Sequence, residues 1–91
     1  MLDELFAIIE ERKANPTDNS YTAKLFSEGE DRILQKVGEE AVEVLIAAKG
    51  QEKQRLIEET ADLFYHTFVM LAAKGLTFED VKNELRKRHK S

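Results

Sequence analysis

Five acidic residues stand out by spacing. Glu39, Glu40 and Glu43 lie in the run GEEAVE, and Glu59 and Asp62 lie in ETADL. Residues three or four apart share one face of a helix, so Glu40 with Glu43 and Glu59 with Asp62 each present two carboxylates side by side. If the pairs converge with spacings of about 5 Å, each pair of charges repels by roughly 3 kcal/mol at an effective dielectric of 20. Four such groups would set a repulsion comparable to the stability of a small domain, about 5–15 kcal/mol. A divalent cation between them relieves it. The chain has no cysteine and no histidine at ligand spacing, so an all-oxygen donor set favours Mg²⁺, with Mn²⁺ as a substitute, over zinc. The competing account is an ordinary solvated face, because glutamate is a good helix former. Asp62 fits that account least well: aspartate is a poor helix former, yet it stands at the head of the apolar run LFYHTFVMLAA, where an unpartnered charge is costly to bury.

The elements that must position these acids are helical. Leu2, Leu5, Phe6, Ile8 and Ile9 recur at helical spacing until Asn15-Pro16 ends a first helix. A short helix over Tyr21 to Phe26 follows, with Ser20 as N-cap. Ser27 and Glu30 have the spacing of a capping box, opening a helix whose stripe is Ile33, Val37, Ala41, Val44 or Leu45, and Ala48. Gly50 stops it. A second long helix spans about Glu52 to Lys74, stopped by Gly75. Thr77 with Asp80 caps a last helix whose Phe78, Val81 and Leu85 are expected to face inward. No alternating strand pattern, internal repeat or low-complexity linker occurs. The expected fold is all-α: an antiparallel helix hairpin with flanking helices, in one domain over residues 1–91.

A connection of about three residues forces the two long helices back antiparallel. At 1.5 Å per residue, Glu43 and Glu40 lie roughly 9 and 13 Å before the end of one helix, and Glu59 and Asp62 roughly 10 and 15 Å into the other. The pairs therefore sit at the same level. Gly38, which costs about 1 kcal/mol in a helix relative to alanine, points to close approach by a helix or ligand. The Glu52–Lys74 helix is apolar around much of its circumference and needs more than one neighbour. A homodimer that completes the bundle is expected.

Composition narrows the function. Hydrophobic residues make up 42% of the 91, enough for a core, which argues against disorder. The longest strictly apolar run, Phe68 to Ala73, is far short of the ~20 residues that span a bilayer. The start, MLDELFAIIEERK, is acidic where a secretory signal is basic, so a cytoplasmic location is expected. The absence of cysteine excludes disulfide scaffolds, thiolate zinc sites and cysteine nucleophiles. With 18 acidic against 14 basic residues and a net charge of −4, nucleic acid is not an expected partner. A polyanionic small molecule remains possible where metal ions neutralise both sides.

The paired acids on a helix hairpin resemble the metal site of the all-α nucleoside triphosphate pyrophosphohydrolases, the MazG-like superfamily. The stretches SYTAKLFSEGEDRILQKVGEEAVE, ETADLFYH and LRKRH resemble more specifically the phosphoribosyl-ATP pyrophosphatase family of histidine biosynthesis, across Ser20 to His89. That resemblance implies hydrolysis of phosphoribosyl-ATP to phosphoribosyl-AMP and pyrophosphate. It implies Glu40, Glu43, Glu59 and Asp62 as metal ligands, and Glu39 as the carboxylate that orients or deprotonates the attacking water. A cyclohydrolase, which needs metal-binding cysteines, is fused to or works beside this domain in many relatives; here it is expected on a separate polypeptide.

Further binding residues follow from the substrate's charge. Arg32 and Lys36 lie upstream of Glu40 on a similar face and could meet phosphates, or Lys36 could simply pair with Glu40. Ser20, Tyr21, Thr22 and Lys24 could shape the nucleotide or ribose pocket, against a helix cap with core packing by Tyr21. His66, one turn after Asp62, could bond a ligand carboxylate or substrate, against a satisfied interface histidine. Arg86 and Arg88, with Lys87, His89 and Lys90, complement the last helix dipole and could hold the extra phosphate of the ribosyl arm. Two rival functions remain: a housekeeping nucleoside triphosphate pyrophosphatase with the same metal residues, and a non-enzymatic helical dimerisation module. A di-iron carboxylate bundle is excluded, because neither histidine has a glutamate three residues before it on paired helices.

Overall fold

The computed structural model describes residues 1–50 and 52–89. Within them the chain forms five helices: α1 (Leu2–Ala14), α2 (Tyr21–Glu28), α3 (Glu30–Lys49), α4 (Lys53–Ala73) and α5 (Phe78–Arg88). No strand occurs among the described residues, as the helical periodicity requires. Asp3 and Glu4 in the first turn of α1, and Arg12 and Lys13 in its last, complement the helix dipole. The Ser20 hydroxyl accepts the Ala23 N–H at 3.0 Å and caps α2.

The α2–α3 junction differs from the expectation. Ser27 and Glu30 form no capping box. Ser27 is still inside α2, where its hydroxyl donates to the Lys24 carbonyl at 2.7 Å. Gly29 (φ 100°, ψ 170°) makes the break instead, in a backbone region open essentially to glycine alone. The helices thus abut through one residue. Gly50 does end α3, but in right-handed helical conformation (φ −78°), not as a left-handed glycine cap.

The end of α4 uses glycine fully. Gly75 (φ 76°) donates its N–H to the Ala72 carbonyl at 3.1 Å, and Leu76 reaches back to Leu71 at 2.9 Å. This pair of bonds is a Schellman motif, closing carbonyls the helix would leave unpaired. The Ala72 carbonyl accepts a second bond as well, from the Lys13 ammonium at 2.7 Å. Immediately beyond, Thr77 and Asp80 form the complete capping box of α5.

The core lies at one end of the hairpin. Phe6 and Ile9 of α1, Leu25 of α2, Ile33 of α3, and Phe68, Val69 and Ala72 of α4 form it. The Phe6 and Phe68 rings meet edge to face at 5.5 Å, and Phe78 of α5 packs on Phe68 at 4.8 Å. Along α3 the inward positions are Ile33 and Ala47; Ala48 and Leu45 are exposed and Val44 is half-buried. On α5 only Phe78 packs inward, while Val81 and Leu85 are exposed, contrary to the sequence expectation. No side chain approaches within 4 Å of a Cβ placed at Gly38, so close helix approach within this chain does not explain that glycine.

Past the core, α3 and α4 continue together toward their short connection, uncovered by α1 and α2. Val42, Leu45 and Ile46 of α3 and Ile57 of α4 are all more than half exposed there. The acidic residues fall between the covered and uncovered halves.

Candidate metal and nucleotide site

Carboxylate oxygens of Glu40 on α3 and of Glu59 and Asp62 on α4 lie within 4.8 Å of one another. Antiparallel folding of the hairpin brings them to one level, as the axial arithmetic requires. The Glu40 and Glu59 side chains are only 12% and 16% exposed; Asp62 opens to solvent. Partial burial pushes the Glu59 carboxyl above its ordinary pKa; Arg55 opposes the rise, and Asp62, Glu40 and Glu43 add to it.

Glu43, expected in the same cluster, is turned instead toward Arg55, its Oε2 3.8 Å from the guanidinium Nη2; that nitrogen also lies 3.5 Å from Glu59 Oε1. On the other side, Lys36 Nζ is 3.4 Å from Glu40 and 3.8 Å from Glu39. Glu39 itself is outside the cluster and accepts a hydrogen bond from Gln35 at 3.0 Å. Four carboxylates against two cations leave an excess of negative charge in a partly desolvated place. A hard cation with oxygen ligands suits this donor set.

Reasoning from sequence passed over Arg55. Its four-residue spacing to Glu59 was the available signal, but that pattern is common on solvated helices.

The Ser20–Tyr21–Thr22 segment packs one turn beyond Asp62. Thr22 and Tyr65 share a hydroxyl–hydroxyl hydrogen bond, and the Tyr21 and Tyr65 rings stack at 6.3 Å. Burial raises the Tyr65 pKa, with the Thr22 bond partly offsetting it. His66 lies beneath them, 6% exposed. Its Nδ1 is 2.8 Å from the Asp62 carbonyl, which can only accept, and its Nε2 is 3.5 Å from the Tyr21 hydroxyl. The imidazole is thus enclosed, with one ring nitrogen on the Asp62 carbonyl and the other toward the Tyr21 hydroxyl.

The remaining expected residues stand apart. Lys24 is exposed and lines an open recess with Pro16, Thr17, Asp18 and Ser20. Arg32 pairs with Glu28 at 3.9 Å. Arg86 is held by Glu79 at 2.8 Å and Asn83 at 2.6 Å, and Arg88 by Glu84 at 2.9 Å. No ion pair among the described residues joins Arg86 or Arg88 to the acidic cluster. Lys90 lies outside the described residues.

Fold and site together define an all-helical protein whose hairpin gathers carboxylates from both arms. The family profile described as Phosphoribosyl-ATP pyrophosphohydrolase matches residues 2–89, and the chain belongs to that family. It is 52% identical over 89 residues to the phosphoribosyl-ATP pyrophosphatase of Bacillus mycoides (strain KBAB4), covering 98% of this chain and 83% of that one. It is also 52% identical over 85 residues to the protein of the same name from Bacillus cereus (strain AH820), covering 93% and 79%. No helix among the described residues is long and apolar enough to cross a membrane.

Proposed function

We propose that this chain hydrolyses phosphoribosyl-ATP to phosphoribosyl-AMP and pyrophosphate in histidine biosynthesis, with Glu40, Glu43, Glu59 and Asp62 holding Mg²⁺ or Mn²⁺. Family membership supports the reaction. The observation that carries the site is the convergence of Glu40, Glu59 and Asp62 oxygens within 4.8 Å from two helices. A divalent ion held by these carboxylates would supply positive charge to the polyphosphate oxygens and would make the attacking water more acidic.

The chain's own residues do the rest. Lys36, beside Glu40, and Arg32, one turn earlier on α3, offer cations to phosphate oxygens. Glu39, tied to Lys36 and outside the carboxylate cluster, takes the role of accepting the proton of the attacking water. Ser20, Tyr21, Thr22 and Lys24 bound the nucleotide or ribose side, with Tyr21 set against His66 and Tyr65. Arg86 and Arg88 are assigned to the additional phosphate of the ribosyl arm. A homodimer is supported by the apolar side chains left open on the outer half of the α3–α4 hairpin.

A pyrophosphate-release assay with phosphoribosyl-ATP, with and without EDTA, tests it. Turnover that depends on Mg²⁺ or Mn²⁺ is expected. No turnover of this substrate, or full turnover in excess EDTA, overturns it.

A further inference from the structure

Arg55 is the one cation among the described residues that pairs with expected ligand carboxylates on both long helices. Its Nη2 lies 3.5 Å from Glu59 on its own helix and 3.8 Å from Glu43 across the hairpin. Neither contact is a short, aligned hydrogen bond, and the Arg55 side chain is 50% exposed. It is therefore held loosely, by charge rather than by the bidentate geometry that would fix a guanidinium on a carboxylate. Glu43 is also the one expected ligand that does not join Glu40, Glu59 and Asp62, and Arg55 is what it faces instead.

These facts describe a competition. Glu59 and Glu43 would turn their oxygens to a divalent ion held among the carboxylates, and the guanidinium would then be free. The freed Arg55 is then a planar cation at the rim of a site that receives a polyphosphate. Arginine's fork of donors matches two phosphate oxygens, and its exposed position needs no rearrangement of the helices.

Resting on the proposed pyrophosphohydrolase reading, we propose that Arg55 is a further phosphate-binding residue of this site. It bridges Glu43 and Glu59 in the metal-free protein and exchanges them for phosphate oxygens of the polyphosphate once a divalent ion is bound.

Two probes separate this from a surface ion pair. Calorimetric titration with Mn²⁺ alone should show Arg55→Met binding the ion on the order of tenfold more tightly than the unsubstituted chain, because a competing charge is gone. Titration with inorganic pyrophosphate at saturating Mn²⁺ should show the opposite, on the order of tenfold weaker binding, with Arg55→Lys intermediate because it keeps the charge and loses the fork. Circular dichroism establishes that each variant is folded, and the charge-deleted Arg55→Gln carries both titrations should Arg55→Met fail to fold. Unchanged or weaker Mn²⁺ binding in the charge-deleted variant overturns the competition. Unchanged pyrophosphate binding in both variants overturns the phosphate contact. Neither titration requires turnover, so failure of the unsubstituted chain to hydrolyse phosphoribosyl-ATP would count against the reaction and not against the role of Arg55.

Discussion

Glu40, Glu59 and Asp62 bring three carboxylates within 4.8 Å of one another, and a domain of this size tolerates that arrangement only at a cost. Glu40→Gln, Glu59→Gln and Asp62→Asn are each expected to lower kcat/KM by at least about 100-fold, as is Glu43→Gln. Helicity should be retained in all four. In EDTA, thermal unfolding of the Glu59→Gln protein should occur at a higher temperature than that of the unsubstituted chain, because the desolvated carboxylate that its neighbours repel is gone. Wild-type turnover in two of these variants, or a lowered unfolding temperature for Glu59→Gln in EDTA, would contradict the shared-cation account. The convergence of Glu40, Glu59 and Asp62 was legible in the sequence because helical spacing and a short connection fix both face and level; the same spacing put Glu43 with them, but it faces Arg55. Arg55 was not, since its pairing with Glu43 exists only once two helices have set their rotation. His66 shows the same limit: spacing placed it on the face of Asp62, but only the packing of Tyr21 and Tyr65 decides that it is enclosed.

At the scale of elements, stop and start signals carry the hairpin. Thr77→Ala removes the hydroxyl that accepts the Asp80 N–H at 3.1 Å and should lower stability by about 1 kcal/mol, read as a shifted denaturation midpoint at constant slope. The dock of α5 is also electrostatic. The Lys82 ammonium lies 2.7 Å from Asp3 of α1 and 3.2 Å from Glu79, and its pKa is raised, by Asp3 first and then Glu79. Hydrogen bonds from Arg86, then Lys82, hold the Glu79 carboxyl below its ordinary range. A depressed carboxylate contributes stability that is present above the ordinary glutamate pKa and lost as pH falls through the lowered value. A raised lysine contributes throughout that range and loses its share only in strong alkali. Hydrogen exchange of the α5 amides, corrected for intrinsic rate, should therefore show less protection near about pH 3 than near neutrality, with added salt narrowing the gap. Equal protection at both would contradict this. The helices, their order and most boundaries were readable, because apolar period and capping residues act locally. The α2–α3 junction was not: Gly29 allows a break of a single residue, which leaves Ser27 inside the preceding helix. Val81 and Leu85 show that periodicity marks an apolar face without saying what covers it.

The whole molecule is a hairpin packed at one end and open at the other. Val42, Leu45, Ile46 and Ile57 are apolar and more than half exposed beyond the acidic level, where an isolated chain gains nothing from them. Sedimentation equilibrium at micromolar concentration is expected to give at least twice the chain mass, and Leu45→Glu should shift the population toward monomer. A clean monomer of the unsubstituted protein would contradict the dimer. Substrate choice also belongs to this scale, because carboxylates and a metal ion serve any triphosphate alike. Phosphoribosyl-ATP differs from ATP by a second ribose with its own phosphate, and selective binding of that group needs cations outside the cluster; the ones proposed are Lys24, Arg32, Lys36, Arg86 and Arg88. Arg86→Met should erode the preference for the adduct more than it reduces hydrolysis of ATP. The most direct test of the account is a comparison of pyrophosphate release from phosphoribosyl-ATP and from ATP under saturating Mg²⁺. The predicted result is a kcat/KM at least ~100-fold higher for phosphoribosyl-ATP, or about 2.7 kcal/mol of differential transition-state binding. Equal values, or a preference for a common deoxynucleoside triphosphate over both, would contradict it.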